Sequence, residues 1–445
     1  MHSPAPGFKN RHIFIVLAVS WVVRCAFVWL MPEQVRSADI YSWEVVAQTL
    51  YGGGNPYKET TVLNWPPLWM LLIYLMSKVT VATNIPLMQV LRVFLALVES
   101  CVIIALFRLV RRIAPQARAF VPILLGIALN PVAFLLICQH GNFDVLVGLW
   151  MLLFVGELIS YYKTEKPEDW LAACLFLGLG ILTKTVPLVL CPMLAGGWRR
   201  LTWKTRAIGS AFLLGPVTLG MSVIYVLAPG DVTAKVLGYR STSRWFGVSG
   251  LLHLSGADGL IGVTDKLFYL LLVVAAVLMA YAFWKRDRVE PRGIVLCAVI
   301  FLAGVPCLGP GYGPQYLYWS LPLLLASWFL CAGWWRWLVA VFGAVAALTF
   351  LVEYGILPSH GMYFVFLIRD LHPLSAGQAQ VMVDLLNWCG TPTGQTLMRL
   401  PLFLAFLVLI GAGTRLLVRN LCAASLADEP AGRDSRDAHG TPTPN

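Results

Sequence analysis

Apolar runs long enough to cross a bilayer recur along the chain from residue 13 to residue 418, with short polar tracts between them. About 20 apolar residues span the hydrocarbon core of a membrane as an α-helix. The pattern therefore predicts an all-α polytopic membrane protein, a bundle of about twelve transmembrane helices. The predicted spans are residues 13–31, 87–110, 119–138, 143–162, 170–183, 186–198, 207–227, 267–284, 293–308, 315–331, 333–352 and 400–418.

The tract between the first two predicted spans is long, aromatic and rich in glycine. Apolar residues recur at helical spacing between residues 40 and 50, which predicts a short amphipathic helix that ends at the glycines of residues 52–54. A second apolar segment, residues 65–81, is short, has two prolines directly after its first residue and contains Trp and Tyr. Because these features suit a membrane surface, we expect this segment to lie along the outer interface instead of spanning the membrane.

Composition supports a membrane protein. Hydrophobic residues make up 58% of the 445 residues and charged residues only 12%, whereas soluble domains average about 25% charged residues. A single water-soluble globule is therefore excluded. The net charge of +11 does not indicate a nucleic-acid partner, because the 33 Lys and Arg lie in short tracts between apolar runs. With residues 65–81 outside the bilayer, most of them fall on one side, which predicts that both termini are cytoplasmic.

We expect one transmembrane domain, residues 1–420, with large external segments at residues 32–80, 229–266 and 354–399. Residues 421–445 are predicted to be a disordered cytoplasmic tail. The chain has no Asn-x-Ser/Thr sequon, which favours a bacterial plasma membrane and cell envelope over the endoplasmic reticulum. The ten cysteines form no Cys-x-x-Cys pair, and most lie inside apolar runs, so neither a disulfide framework nor a thiolate metal site is expected.

Asp39 is the candidate catalytic residue, at the start of the predicted amphipathic helix. One interpretation is that Asp39 only caps that helix. The other is that it acts as a general base at the membrane surface, where a carboxylate can take a proton from a sugar hydroxyl. Aromatic neighbours such as Trp43 would suit stacking on a sugar or a lipid.

A tight loop between two predicted spans carries His140, Asn142 and Asp144 at the outer mouth of the bundle. Polar residues at such a place are costly unless they serve a function. A solvated turn is equally consistent with the pattern, since Gly141-Asn142 is a common turn pair. His140 and Asp144 alone are too few ligands for a metal site.

Three cations are candidates for binding a phosphate. Lys184 ends a predicted span on the outer side, where an unpaired ammonium is expensive, although it could also snorkel to the interface. Arg240 and Arg244 lie in an external segment and could bind a phosphate through charge-assisted hydrogen bonds, although arginines in a surface loop are usually only solvated.

Gln315 and Tyr316 begin a later span, and an interfacial aromatic belt explains the tyrosine but not the glutamine.

Arg24 and Glu99 carry opposite charges near the middle of the first two predicted spans. Matched depth predicts that they pair. A structural pair is the simplest interpretation, and a proton-coupled transporter is the alternative.

The order of several short motifs over roughly the first three quarters of the chain resembles that of GT-C glycosyltransferases, in particular members that use polyprenyl- or dolichyl-phosphate sugars. The motifs are Asp39 after a first span, Asn55-Pro56-Tyr57, Trp65-Pro66-Pro67-Leu68, Asn130-Pro131, Gly141-Asn142-Phe143-Asp144, Lys184-x-x-Pro187 and Gln315-Tyr316-x-x-Trp319.

This resemblance implies inverting transfer of a sugar, mannose-like, from a polyprenyl phosphate to a lipid or glycan acceptor at the outer membrane face. Asp39 would be the base, and Lys184, Arg244, Arg240 and His140 would hold the donor phosphate. The family often has a second acidic residue close to the first, but Ser37-Ala38 precede Asp39 here, so we expect transfer without a metal or another cofactor. The implied cleft residues are Trp43, Tyr57, Trp65, Pro66, Asn142, Asp144, Gln315 and Tyr316.

A secondary transporter or lipid-linked sugar flippase is the alternative function, and a non-catalytic membrane subunit or a polysaccharide ligase is a third class. Transporters often carry internal repeats and polar residues at mid-membrane. The sequence shows no such repeat, and its unusual residues gather in the external segments. Uptake assays in vesicles would separate transport from transfer.

Overall fold

A computed structural model describes residues 10–30, 37–237, 243–331, 333–357 and 375–427. Within them the chain is helical and has no strand, which confirms the predicted all-α fold. The α-helices are Asn10–Leu30 (α1), Ala38–Tyr51 (α2), Pro56–Glu59 (α3), Pro67–Thr83 (α4), Leu87–Ile113 (α5), Phe120–Ile123 (α6), Pro131–Leu135 (α7), Asp144–Thr164 (α8), Pro167–Thr183 (α9), Ala195–Arg200 (α10), Trp203–Leu227 (α11), Pro229–Val232 (α12), Gly247–Leu254 (α13), Ile261–Lys285 (α14), Pro291–Leu308 (α15), Leu317–Leu330 (α16), Trp334–Ile356 (α17), Ala376–Cys389 (α18) and Pro392–Ala427 (α19).

Nine helical stretches in the described part of the chain are long and apolar enough to cross a membrane. Each of them overlaps one of the twelve predicted spans. They are Arg11–Val28, Leu87–Ile113, Phe120–His140, Asp144–Thr164, Trp203–Leu227, Asp258–Lys285, Pro291–Leu308, Trp334–Ile356 and Pro392–Asn420.

The other three predicted spans are shorter elements. Helix α9 has 17 residues and α16 has 14. Between them in the chain, Val186–Leu194 forms a 3₁₀-helix that continues into α10. A 3₁₀-helix rises about 2.0 Å per residue instead of about 1.5 Å, so these 15 residues together extend roughly 27 Å. This tighter winding lets a segment that is short in sequence reach almost across the hydrocarbon core.

The tract after the first span contains the two short helices that its pattern predicts. Helix α2 buries Ile40, Trp43, Val46 and Ala47, and packs against α4. The N-cap of α2 is Ser37, whose hydroxyl accepts a hydrogen bond from the backbone N–H of Ile40. The interpretation of Asp39 as a mere N-cap is therefore wrong, because Ser37 already performs that role and leaves the Asp39 carboxylate for other contacts.

Helix α8 is the centre of the bundle. In its membrane-spanning window 83% of the residues are buried, against 6% for α11 and 11% for α14. Helix α8 packs against α5, α9, α15 and α16, so its first residue, Asp144, is held in a fixed position. The large exposed apolar faces of α11 and α14 suit contact with lipid.

The span that leads into α8 is broken twice. Asn130 caps α7 by accepting a hydrogen bond from the backbone N–H of Val132, and Pro131 occupies the first position of that helix. A π-helical turn, Leu136–His140, follows and ends at Gly141, which has a φ of 64°. Single π-turns occur frequently at functional sites.

The predicted pair of Arg24 and Glu99 is confirmed. Arg24 Nη2 lies 2.5 Å from Glu99 Oε1, and both side chains are buried. Glu99 also accepts a hydrogen bond of 3.0 Å from Ser20 Oγ. The pair joins α1 to α5, which is the structural interpretation of these two charges.

Helix α19 continues to Ala427, past the boundary at residue 420 that was predicted for the tail. The added residues include leucines and alanines, which are good helix formers and extend the preceding helix without interruption. Residues 428–445, Arg240 and residues 358–374 of the third external segment lie outside the described residues.

Candidate active site

Several separate parts of the chain surround a cavity of about 600 Å³ at one end of the bundle. They include the first turn of α2, the segment of residues 62–66 before α4, the loop before α8, the end of α9, one face of α14 and the junction between α15 and α16. The polar and aromatic residues that line this cavity include Asp39, Ser42, Asn64, Trp65, Asn142, Lys184, Gln315, Tyr316 and Trp319. We call this space the α2–α8 cavity.

Asp39 is the acidic group of the α2–α8 cavity, and its side chain is 26% exposed. Its Oδ2 lies 2.8 Å from His140 Nε2 and accepts a hydrogen bond of 2.5 Å from Asn142 Nδ2. Burial by itself raises the pKa of the carboxyl. The charge and hydrogen bond of His140, the hydrogen bond of Asn142 and the charge of Lys184 together outweigh burial and lower the pKa below its ordinary value. Asp39 is therefore ionised at neutral pH, as a general base must be.

His140 supports Asp39 and is not among the residues that line the cavity. Its Nε2 faces Asp39, while its Nδ1 makes a hydrogen bond with the Tyr354 hydroxyl. The ring is 4% exposed. The structure thus differs from the predicted contact between His140 and a donor phosphate, because the ring nitrogens face two protein groups.

Lys184 is the cation of the cavity wall. Its Nζ donates to both carboxylate oxygens of Asp144, at 2.8 and 3.0 Å. The side chain of Asp144 is fully buried and that of Lys184 is 13% exposed. An ammonium has three N–H donors, and Asp144 can take two of them. These contacts hold Lys184 at the cavity, so snorkelling to the interface does not describe it.

Three aromatic rings surround the Lys184 ammonium. Its Nζ lies 5.2 Å from the ring centre of Phe143, 4.7 Å from that of Tyr316 and 5.0 Å from that of Trp319. The negative faces of aromatic rings attract a cation at such distances. Tyr316 therefore does more than contribute to an interfacial aromatic belt. Its ring contacts the Lys184 ammonium, and it lines the same cavity as Lys184 and Gln315.

An aromatic cluster forms another wall, but only part of it faces the cavity. Trp65 and Pro66 line the space. Trp43 is buried behind Trp65, with ring centres 4.3 Å apart, and its Nε1 donates to the carbonyl of Gly141. The Tyr57 hydroxyl is likewise buried and donates to the carbonyl of Trp65 at 2.8 Å. Trp43 and Tyr57 thus support the predicted cleft instead of lining it.

Arg244 lies apart from the α2–α8 cavity. It is not among the lining residues, and its Nε lies 3.2 Å from Asp258 Oδ1 with the side chain 52% exposed. His253 shares the same carboxylate, at 3.1 Å. The structure thus places Arg244 beside Asp258 and not on the wall of this cavity, and its contact with a donor phosphate stays a prediction.

The structure adds residues that sequence reasoning missed. Tyr354 at the end of α17 contacts His140, and the Gln139 side chain donates to the Tyr354 carbonyl at 2.8 Å. The neighbouring Glu353 forms a buried ion pair with Arg399 of α19. Opposite charges at the outer ends of two predicted spans were the signal that could have found this pair.

Within the described residues, no group of three or more His, Cys, Asp or Glu is placed to hold a metal ion. The expectation of metal-independent transfer remains a prediction.

Comparison with known proteins agrees with this architecture. Residues 64–227 match the family described as dolichyl-phosphate-mannose-protein mannosyltransferase. The matched part contains Trp65, Asn142, Asp144 and Lys184, whereas Asp39 and Tyr354 lie outside it. The chain matches none of the curated protein sequences.

Two solved structures match this chain to different degrees. The crystal structure of ArnT from Cupriavidus metallidurans bound to undecaprenyl phosphate has a TM-score of 0.54 and 16% identity, over 94% of this chain and 78% of that one. The apo oligosaccharyltransferase from Archaeoglobus fulgidus has a TM-score of 0.43 and 14% identity, over 90% of this chain and 56% of that one. The first likeness shows that the two chains share a fold.

Proposed function

We propose that this chain is a membrane glycosyltransferase of the GT-C type, which transfers a sugar from a polyprenyl-phosphate donor to a hydroxyl acceptor in the α2–α8 cavity. The observation that carries the proposal is one cavity with an ionised carboxylate, Asp39, and a fixed ammonium, Lys184, on its walls. Sugar transfer from a lipid phosphate needs both, since one group takes a proton and the other stabilises a departing phosphate.

Asp39 is the general base of the proposed reaction. Its Oδ2 is held by His140 and Asn142, so Oδ1 is the oxygen left to receive the proton of the acceptor hydroxyl. The acceptor oxygen attacks the anomeric carbon on the face opposite the phosphate. The bond between that carbon and the phosphate oxygen breaks, its electron pair leaves with the polyprenyl phosphate, and the configuration inverts.

Lys184 is the group that stabilises the leaving phosphate. Its position is set by Asp144 and the three rings before any substrate binds, so no reorganisation is needed as negative charge develops. Phosphate is already a good leaving group, and a separate strong acid is therefore unnecessary.

A neighbouring apolar groove supports a lipid-linked donor. The groove has a volume of about 280 Å³ and lies between α14, α15 and α19. It shares Phe268, Leu272 and Val305 with the α2–α8 cavity. A polyprenyl chain could occupy this groove while its phosphate reaches Lys184. The name of the matched family favours mannose as the sugar to test first, with a lipid or glycan as the acceptor.

We place the reaction on the outer face of a bacterial plasma membrane. The distribution of Lys and Arg and the absence of a glycosylation sequon support this orientation and compartment.

Asp39→Asn is the direct test, in membranes or proteoliposomes supplied with radiolabelled polyprenyl-phosphate mannose. Asparagine keeps the shape of the side chain but cannot accept the proton. We expect the transfer rate to fall by about a hundredfold or more, the usual contribution of a general base. Full retained transfer by Asp39→Asn would remove Asp39 from this role.

Asp231→Asn is the matched control, because Asp231 pairs with Lys235 outside the cavity. Its transfer rate should equal that of the wild type. If neither the wild type nor the control transfers label from any polyprenyl-phosphate sugar, while vesicles accumulate the lipid-linked sugar, the transporter alternative holds.

A further inference from the structure

Tyr354 of α17 stands at the start of a short series of contacts that ends at the proposed base. Its hydroxyl makes a hydrogen bond with His140 Nδ1, and His140 Nε2 lies 2.8 Å from Asp39 Oδ2. Tyr354 is fully buried. Neither Asp39 nor Tyr354 lies in residues 64–227, the part of the chain that matches the mannosyltransferase family.

The position of Tyr354 is fixed from two sides. On one side, Gln139 Nε2 donates to the Tyr354 carbonyl at 2.8 Å. On the other, the adjacent Glu353 accepts two hydrogen bonds from Arg399, at 2.7 and 3.0 Å, and both side chains are buried. Arg399 also donates to the carbonyl of Trp245 and lies 5.1 Å from the ring centre of Tyr312. Helix α19 thus anchors the end of α17 beside His140.

The chemistry of the three groups fixes which proton of His140 faces Asp39. An ionised carboxylate only accepts hydrogen bonds, so the N–H that faces the Asp39 carboxylate is on Nε2. A tyrosine hydroxyl can donate to Nδ1 of a neutral ring or accept from Nδ1 of a charged one, so Tyr354 holds Nδ1 in either state. The same hydrogen bonds orient the ring, so that Asp39 is held by Oδ2 and presents Oδ1.

We infer that Tyr354 is a positioning residue for the transfer reaction, acting through His140 to orient Asp39. The inference rests on the proposed function of Asp39. It gives α17 and α19 a part in the reaction although neither helix lies in the matched segment. It also assigns His140 to the base instead of to the donor phosphate.

Tyr354→Phe tests the inference, because it removes only the hydroxyl. We expect kcat to fall roughly five- to tenfold, on the scale of one lost hydrogen bond, with an unchanged KM for polyprenyl-phosphate mannose. The melting temperature is recorded for each variant. Tyr318→Phe is the matched control, since Tyr318 is equally buried and its hydroxyl has no hydrogen-bond partner within the described residues. Tyr318→Phe should leave kcat unchanged.

His140 variants separate a positioning role from a structural one. Glutamine can replace the N–H that faces Asp39, so His140→Gln should recover at least tenfold more kcat than His140→Ala. A purely structural role would make the two variants lose activity in step with their melting temperatures.

Three results would overturn the inference. Tyr354→Phe could match Tyr318→Phe in kcat, His140→Gln could be no better than His140→Ala, or the variants could raise the donor KM at constant kcat, which would return His140 to the phosphate. Asp39→Asn is assayed alongside them. If Asp39→Asn is inactive while Tyr354→Phe is fully active, only the positioning role fails, whereas an active Asp39→Asn would remove the proposed function itself.

Discussion

Lys184 and Asp144 form a buried pair that brings a cation to the cavity without an unbalanced charge in the protein. Removing one partner of such a pair leaves the other charge uncompensated, which typically costs about 3–5 kcal/mol. A single substitution of Lys184 therefore confounds stability with function. Neutralising both residues avoids this problem, because the buried site then holds no charge.

The double variant Lys184→Met, Asp144→Asn is predicted to keep the fold but to lose affinity for the donor phosphate. Methionine preserves the contacts with the rings of Phe143, Tyr316 and Trp319. We expect kcat to fall, because the charge that develops on the leaving phosphate is no longer stabilised, and the KM for polyprenyl-phosphate mannose to rise about tenfold, as a charge-assisted hydrogen bond to the phosphate is lost. The melting temperature should stay close to that of the wild type. Steady-state kinetics and thermal unfolding in detergent measure the two effects. An unchanged KM, together with an unchanged kcat, would contradict a phosphate role for Lys184.

At the scale of elements, the turn between the Leu136–His140 π-helix and α8 places both partners of Asp39. Gly141 separates His140 from Asn142 and adopts a φ of 64°, a left-handed conformation that side chains disfavour. A Cβ built on Gly141 would lie 2.9 Å from Ile40 in α2 and 2.9 Å from Leu91 in α5. The glycine thus permits the close approach of α2 that brings Asp39 to its donors.

Gly141→Ala is predicted to damage the site and the fold together. Strain at the positive φ and the clash with Ile40 should cost about 1–3 kcal/mol. The same displacement should lower the transfer rate, because His140 and Asn142 move away from Asp39. Thermal unfolding and the transfer assay check both outcomes.

Gly156→Ala in α8 is the matched control for this prediction. A Cβ at Gly156 meets no atom within 4 Å, and the residue is helical. Alanine there should be neutral or slightly stabilising. Equal behaviour of the two variants would show that the turn tolerates a side chain and does not need its glycine.

At the scale of the whole molecule, the cavity lies at one end of a bundle whose centre is α8 and whose periphery includes α11 and α14. The exposed apolar face of α14 borders both the α2–α8 cavity and the neighbouring apolar groove. In the proposed reaction, the lipid donor would enter the cavity from the side along α14, and a polar acceptor would enter it from water. This arrangement requires the cavity end to face one defined side of the membrane.

The orientation predicts which positions an impermeant thiol reagent reaches in intact cells. Tyr51 lies near the cavity end of the bundle, whereas Lys166 lies between α8 and α9 at the opposite end. Both positions are exposed, so a cysteine placed at either one can be tested. We expect Tyr51→Cys to react in intact cells and Lys166→Cys to react only after permeabilisation. The unsubstituted protein gives the background from its own cysteines. The reversed pattern would place the cavity in the cytoplasm and would overturn the proposed orientation without affecting the chemistry.

The sequence by itself determined the class of the molecule. Bilayer insertion depends on the length of local apolar segments, and that length can be read directly from the sequence. Nine of the predicted spans correspond to long apolar helices in the structure. The pairing of Arg24 with Glu99 was equally accessible, because two opposite charges at the same depth in a bilayer have few other partners. Asp39 could be selected as a candidate because it follows the first span and begins an amphipathic helix.

Only the tertiary structure decided what surrounds Asp39. His140 is 101 residues away in the chain and Tyr354 lies a further 214 residues beyond His140. Their contact depends on how a π-turn, a left-handed glycine and the packing of α17 orient single side chains. No repeating pattern of apolar and polar residues in the sequence predicts any of these three features. The same reason explains why the sequence did not predict the partner of Arg244, which is Asp258, away from the cavity. Local patterns specify which segments form helices, whereas the partners of a buried polar group follow from the packing of distant segments.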